Sequence, residues 1–381
     1  MLPAGLITIL GASVLCFTSL YVPQPILPVL GRAFGVSQAD AAMLVGISMI
    51  PMAIAPIVYG YFLQKVAARR LLLASLLVMS LSQFAFAFAP GFEIALFCRL
   101  LLGLALPGAI TALMTLCSVG VPLEKVRRTM GFYIAATILG GFLGRVLGGW
   151  MTTVFGWPAP FLAVGSLLFM SFVLLLRSGF SSRTQFVRPD FHLLARTLSN
   201  RFYLFSYLTI FCVFVVFAGI LNNLSYRLEA IEPGISSAAV SLLYLGYLVG
   251  IVVAIGSSRL SAMLGGERRG LQLGFSALLL SVGLFSLETY AALLANVFLL
   301  SLGMFAIHSL LSALVNVHAS GDKPMVNGLY VAIYYAGGSV GSWLPSMLYG
   351  WIGWNMLLGL LALVGLAGYG FSLRIPEARH S

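Results

Sequence analysis

What this sequence has least of is charge. Of its 381 residues only 8% are Asp, Glu, Lys or Arg, and ten are acidic, where an ordinary globular chain is about one quarter charged. With 60% hydrophobic residues a water-soluble fold is excluded, and the chain reads as one that crosses a bilayer many times. Cysteine is scarce too. Cys16, Cys98, Cys117 and Cys212 all fall in apolar runs without CxxC or CxxH spacing, so they read as small apolar fillers, and neither a disulfide nor a metal site is expected. No His, Asp, Glu or Cys cluster stands at ligand or triad spacing and no Walker sequence occurs. An enzyme, a bound cofactor and ATP hydrolysis are therefore not expected. The carboxylates themselves, Asp40, Glu93, Glu124, Asp190, Glu229, Glu232, Glu267, Glu288, Asp322 and Glu377, all map to loops or helix ends, which leaves no acid in mid-span.

What is present is a series of apolar runs of about 20 residues, each long enough to span hydrocarbon as a helix. Six lie near 5–30, 40–64, 71–90, 93–120, 129–153 and 158–176, and six more near 203–224, 236–258, 270–287, 291–314, 326–349 and 351–373. The first run is too long for a signal-peptide core and reads as a retained helix. Net charge is +11, but its distribution sorts by membrane side rather than into a nucleic-acid patch. With the amino terminus cytoplasmic, the inner segments carry Lys65, Arg69, Arg70, Lys125, Arg127, Arg128 and the arginines of 177–201, while the outer loops carry only Arg32 and Arg227. Both termini are thus expected inside.

The stretch Gly131 to Gly149 holds six glycines and one arginine in an otherwise apolar run. Gly140, Gly144 and Gly148 form one helical stripe with Gly141 and Gly149 beside it. Such stripes let membrane helices approach closely. Arg145 either marks a pathway or pairing site or snorkels outward. The stretch recurs 197 positions on, where Gly328, Tyr330, Gly337, Gly338, Gly341, Gly353 and Trp354 repeat Gly131, Tyr133, Gly140, Gly141, Gly144, Gly156 and Trp157. Two homologous halves with a site between them is a transporter plan.

Other residues stand out singly. In YVPQPILP the prolines Pro23, Pro25 and Pro28 break the ladder around Gln24, and 199 positions later Asn223 follows Asn222. These amides suit either the rim of a substrate path or the capping of frayed helix ends. Gly246, Gly250 and Ala254 give the eighth span a small-residue stripe of its own, and His308 lies inside the tenth. A neutral, hydrogen-bonded imidazole and a proton carrier are both open for it. Residues 177–201 form the longest polar segment and read as a cytoplasmic connector between bundles at 1–176 and 202–381.

The loop GYFLQKVAARR resembles, in degraded form, the cytoplasmic loop motif of the major facilitator superfamily. Gly60, Lys65 and Arg69 match, and Gln64 stands where that family has aspartate. Arg99 and Gly103 have the spacing of its fourth-helix motif. Gly131, Gly140, Gly144, Gly148 and Gly149 match its fifth-helix motif, with Arg145 in place of proline. With LYVPQPILPVLGRAFGVS near the start, this substitution is similar to the YnfM-like group of bacterial inner-membrane transporters.

The resemblance implies an all-α membrane protein of twelve transmembrane helices in two pseudo-symmetric six-helix bundles, working by alternating access. It implies that the fifth and eighth helices oppose one another across the path and close its outer half, as in exporters. Arg99 and Arg145, each about 10 Å below an outer helix end, should share a level and join Gln24, Asn222, Asn223 and His308 along the substrate path. Gly140, Gly144, Gly148, Gly149, Gly246, Gly250, Gly337 and Gly341 are expected to serve packing or gating. The function expected is export of a small organic, partly anionic or zwitterionic solute with proton exchange, by a monomer in the inner membrane that touches only solute, protons and lipid. Multidrug efflux of lipophilic compounds and facilitative or uptake transport are the alternatives, and a non-transporting receptor is a distant one.

Overall fold

The computed structural model describes residues 4–62, 66–119, 123–177, 191–253, 256, 266–319 and 323–376. Among these, every regular element is helical. The first seven helices are α1 (Ala4–Tyr21), α2 (Leu27–Phe34), α3 (Gln38–Phe62), α4 (Ala68–Ala87), α5 (Phe92–Val119), α6 (Leu123–Phe155) and α7 (Pro158–Arg177). They are followed by α8 (Phe191–Ser199), α9 (Arg201–Ile231), α10 (Ser237–Val253), α11 (Glu267–Leu284), α12 (Tyr290–His318) and α13 (Lys323–Leu373).

Nine helical stretches among the described residues are long and apolar enough to cross a membrane. One of them, α13, is two spans in one assignment, because Gly353 sits at φ 74° and breaks it. Only glycine enters that region without a steric cost. Gly156, 197 positions earlier, makes the same turn at φ 87° between α6 and α7. Counting both arms of α13, and adding the shorter α10 and the arginine-bearing α11, gives twelve spans. The fold is thus a twelve-span bundle pair, and each tryptophan after the glycine turn anchors the end of its half. Trp157 meets Phe34 and Phe86 edge-on, and Trp354 Nε1 donates to the Phe285 carbonyl at 2.8 Å.

The ends of the spans differ from the expected ones by a few residues, and two differences matter. The first span continues past its prolines. Leu27–Phe34 resumes as α2 after a 3-10 turn at Gln24–Ile26, so the chain crosses as two pieces joined at a kink. The connector contains α8, whose residues pack against α9. Contacts between the first seven helices and the later ones run through α3 against α13, α6 against α10, and α2 with the Gln24 turn against α9.

Candidate functional site

Arg99 is 1% exposed, and its surroundings follow from the prolines. Because α1 stops at Tyr21, its last carbonyls lack helical partners, and Pro23 has no N–H to offer Ser19. Arg99 supplies the missing donors. Its Nη1 donates to the Ser19 carbonyl at 2.9 Å, Nη2 to Leu20 at 2.6 Å and Nε to Leu44 of α3 at 2.7 Å. The cation also sits at the negative end of the α1 dipole. Ser48 Oγ returns a hydrogen bond to the Arg99 carbonyl at 3.0 Å, and one turn on, a Cβ at Gly103 would lie 2.5 Å from the Ser48 carbonyl oxygen. The arginine-to-glycine spacing therefore clamps α5 to α1 and α3. Arg99 belongs to the interior of the first bundle, which corrects its expected place on the substrate path.

Arg145 reaches the same level from α6 and is equally buried, but it faces the other bundle. Its guanidinium carbon lies 4.0 Å from the ring centre of Tyr21, 4.4 Å from that of Tyr247 and 5.5 Å from that of Tyr244. A desolvated cation over such rings gains about 2 kcal/mol per good contact. Its Nη1 donates to the Gly141 carbonyl at 2.6 Å and its Nε to Gln24 Oε1 at 2.5 Å. Among the described residues neither Arg99 nor Arg145 forms an ion pair.

From Gln24 the bonding passes to the second bundle. Gln24 Nε2 donates to Asn222 Oδ1, while Asn222 Nδ2, fully buried, has no partner. Asn223 accepts from Gln38 Nε2 at 2.8 Å and donates to the Gly219 carbonyl at 2.8 Å. Arg32 and Glu229 pair at the rim. Residues 222, 223, 226 and 229 lie on one face of α9, and that face is zipped to the first bundle. The two asparagines are therefore seal residues at the end of the molecule away from the chain termini, and Asn223 is held there by Gln38 rather than lining a path.

None of the tyrosines here was among the expected site residues. Tyr334 stacks on Phe214 at 3.8 Å between ring centres, and Phe217, Phe305 and Tyr247 continue the ring surface to Arg145. Tyr334 also meets Tyr335 edge-on, with ring centres 4.9 Å apart. His308 ends this wall, with Nδ1 3.0 Å from the Tyr330 hydroxyl and its ring 4.9 Å from that of Tyr334. The signal was available in the paired Tyr334 and Tyr335, in Tyr244 and Tyr247 one helical turn apart, and in Tyr133 and Tyr330 at the 197-residue repeat.

The glycine stripes pack against partners other than those expected. A Cβ at Gly144 or Gly148 would lie 2.5 Å from the carbonyl oxygen of Thr18 or Val22, and Gly140 meets Val14, so this stripe faces α1 and not α10. The two glycines beside the stripe do meet α10: a Cβ at Gly149 would stand 2.9 Å from Ser241 Oγ, and one at Gly141 3.4 Å from the Tyr247 ring. Likewise Gly246 and Gly250 admit Val297 and the Phe305 ring of α12. Ala254 lies outside the described residues. Gly337 and Gly341 repeat the first stripe, with Phe211 and Val215 of α9 as partners. Of the loop motif, Gln64 and Lys65 lie outside the described residues and Gly60 falls within α3. Arg69 Nη2 donates to the Leu176 carbonyl at 2.8 Å, so it caps the end of α7.

Two related helical bundles that meet over a buried cation and are sealed at one end define a multi-pass membrane carrier. The chain belongs to the Major Facilitator Superfamily, whose model matches residues 9–323; it is a transporter and not an enzyme. It is similar to an uncharacterized transporter of Buchnera aphidicola, 25% identical over 95% of this chain and 88% of that protein. It is 27% identical to the inner membrane transport protein YnfM of Escherichia coli over 64% of this chain and 60% of that one. The multi-drug resistance efflux pump PmrA of Streptococcus pneumoniae is 26% identical over 47% of this chain and 43% of that protein. Among solved structures, a bacterial homolog of the human lysosomal transporter Spinster, described as inward-facing and occupied, superposes with a TM-score of 0.70. It shares 13% identity over 97% of this chain and 90% of that one.

Proposed function

We propose that the chain exports a small organic solute bearing an anionic or zwitterionic group across a bacterial inner membrane, by alternating access and in exchange for protons. The observation that carries this reading is Arg145, a buried cation between the bundles that meets a neutral amide, a carbonyl and tyrosine rings but no carboxylate. An ionisable group at membrane depth is costly unless a partner or pathway calls for it. A solute carboxylate would provide the countercharge, and the ring wall from Tyr247 to Tyr334 would cover an apolar or aromatic body. With both termini cytoplasmic, the seal at Gln24, Asn222, Asn223 and Glu229 is periplasmic and the resting protein faces inward. An exporter must load from that side, and the likeness to an inward-facing solved relative is in keeping with it.

The described carboxylates sit at helix ends or in loops: Asp40, Glu93, Glu124 and Glu267 in first turns, Glu229 in the last turn of α9, Glu232 just past it, and Glu288 in the loop before α12. That leaves His308, in contact with Tyr330 and Tyr334, as the interior group to exchange protons. A second reading, efflux of lipophilic compounds, is supported by the ring wall and by the similarity to PmrA. Reconstituted vesicles with an internal pH dye, offered benzoate, a zwitterionic amino acid and a neutral lipophilic dye, separate the two. Export of anion or zwitterion with proton counterflow is expected, falling about tenfold or more in Arg145→Ala. Movement of neutral or cationic compounds alone, unchanged in Arg145→Ala, overturns the anion reading. Indifference to an imposed pH gradient overturns proton exchange.

A further inference from the structure

We infer that Gln24 is the positioning residue through which the state of Arg145 is passed to the seal, so that whatever engages Arg145 loosens the closed end. The inference rests on the reading of Arg145 as the solute contact. Gln24 has one amide with two ends, and each end has a different bundle to hold. Its Oε1 accepts from Arg145 Nε at 2.5 Å within the first bundle, and its Nε2 donates to Asn222 in the second. Arg145 therefore fixes which way the Gln24 amide points, and the orientation it fixes is the one that presents a donor to Asn222. A group that took Arg145 Nε from Gln24 would release the amide to rotate.

Two further features make Gln24 the responsive element of the seal. It sits in the 3-10 turn between Pro23 and Pro25, outside the ladders of α1 and α2, so a change at its side chain meets no continuous helix. The Asn222 it holds is half satisfied, since Nδ2 is buried without a partner; this link is thus weaker than one in which every polar group is paired. The neighbouring link from Gln38 to Asn223 has no path to Arg145, because Asn223 spends its other end on the Gly219 carbonyl. The rim pair of Arg32 and Glu229 is exposed, where ion pairs contribute little. Of these three polar side-chain links, the one through Gln24 is the one that touches Arg145; the rings of Tyr244 and Tyr247 also meet its guanidinium, and Tyr244 donates to the Leu221 carbonyl of α9.

The orphan Nδ2 gives the inference a direction that a merely structural role would not predict. Gln24→Glu would keep an acceptor for Arg145 and offer a second oxygen to Asn222, whose amide can turn to donate its unpartnered Nδ2. The variant should therefore hold the end more tightly closed than the natural protein, although it loses the Gln24 donor.

The test needs no solute, so its failure leaves the solute reading standing, and failed transport of anions leaves the coupling standing. Spin labels on Ala33→Cys and Ala230→Cys, both exposed and flanking the rim pair, report the open-to-closed ratio by electron–electron distance measurements in lipid nanodiscs. Arg145→Ala and Asn222→Ala should each raise that ratio about fivefold to tenfold. Made together they should raise it no further than the larger single effect, because both break one chain of contacts. Asn223→Ala should multiply with either. Gln24→Glu should lower the ratio. If the effects of Arg145→Ala and Asn222→Ala multiply, if neither shifts the ratio, or if Gln24→Glu opens the end, the coupling is wrong. Should Arg145→Ala fail to fold, Arg145→Met, which keeps most of the side-chain volume but removes every donor to Gln24, takes its place in the cycle with the same expected outcomes.

Discussion

Arg99 and Arg145 are two buried guanidiniums on neighbouring helices, and what separates them is the kind of oxygen each one meets. Arg99 donates to three main-chain carbonyls, so Arg99→Ala would strand the Ser19 and Leu20 carbonyls at membrane depth and leave a void the size of its side chain. A loss of about 3 kcal/mol or more is expected, read as a lower melting temperature or lost monomer peak in detergent. Arg99→Lys, with one point charge in place of a fork, should recover only part of it. Arg145→Ala should leave the fold standing and change transport instead. The sequence marked both arginines as unusual and placed them at one depth, yet could not tell their roles apart. Carbonyl partners carry no signature, since every residue has one, and the freed carbonyls of α1 become visible only once the helix is seen to stop at Tyr21.

The stripe Gly140, Gly144 and Gly148 and its repeat at Gly337 and Gly341 form one contact built twice. Val14 and Thr18 stand against the first pair as Phe211 and Val215 stand against the second, each shifted by 197 positions. At the third step the small residue changes sides. Gly148 faces Val22 in the first bundle, whereas Pro345 faces Gly219 in the second, at 3.0 Å from the position a Cβ would take. Gly219→Val should therefore destabilise the protein by about 1–3 kcal/mol, and adding Pro345→Gly should restore much of it by recreating the pairing of Val22 and Gly148. Thermal melts of the two variants decide; no recovery in the double variant would mean that the swap is incidental. Gly144→Leu should likewise destabilise, while Gly131→Leu, with nothing within 4 Å, should be tolerated. Twelve apolar runs and their repeat were legible because span length and glycine spacing are one-dimensional patterns. Which helix a stripe faces is a three-dimensional fact, and among the α6 glycines the expected α6–α10 contact is made by Gly141 and Gly149, which lie beside the stripe.

Across the whole molecule, the two bundles are held at one end by amides, an exposed ion pair and close backbone approach, which suits parts that must separate. Arg32→Cys with Glu229→Cys, joined by a short thiol crosslinker, should arrest transport in vesicles, and reduction should restore it. Undiminished transport in the joined state would exclude opening at this end. The two sides of the seal also differ in how they can yield. The α9 side runs unbroken for 31 residues, a beam with a complete ladder of helical bonds. The opposing side is jointed at Pro23 and Pro25, where two amide donors are missing and the backbone passes through a short 3-10 turn. When the bundles tilt, deflection collects at the more compliant member, so opening should start at this joint and travel outward instead of shearing the whole interface at once. Residues 22–27 and 219–225 are equally buried, so solvent access alone would give them equal amide exchange. A compliant joint would make Val22, Gln24 and Ile26 exchange markedly faster than their counterparts on α9, and matched protection on the two sides would put the flexing elsewhere in the molecule.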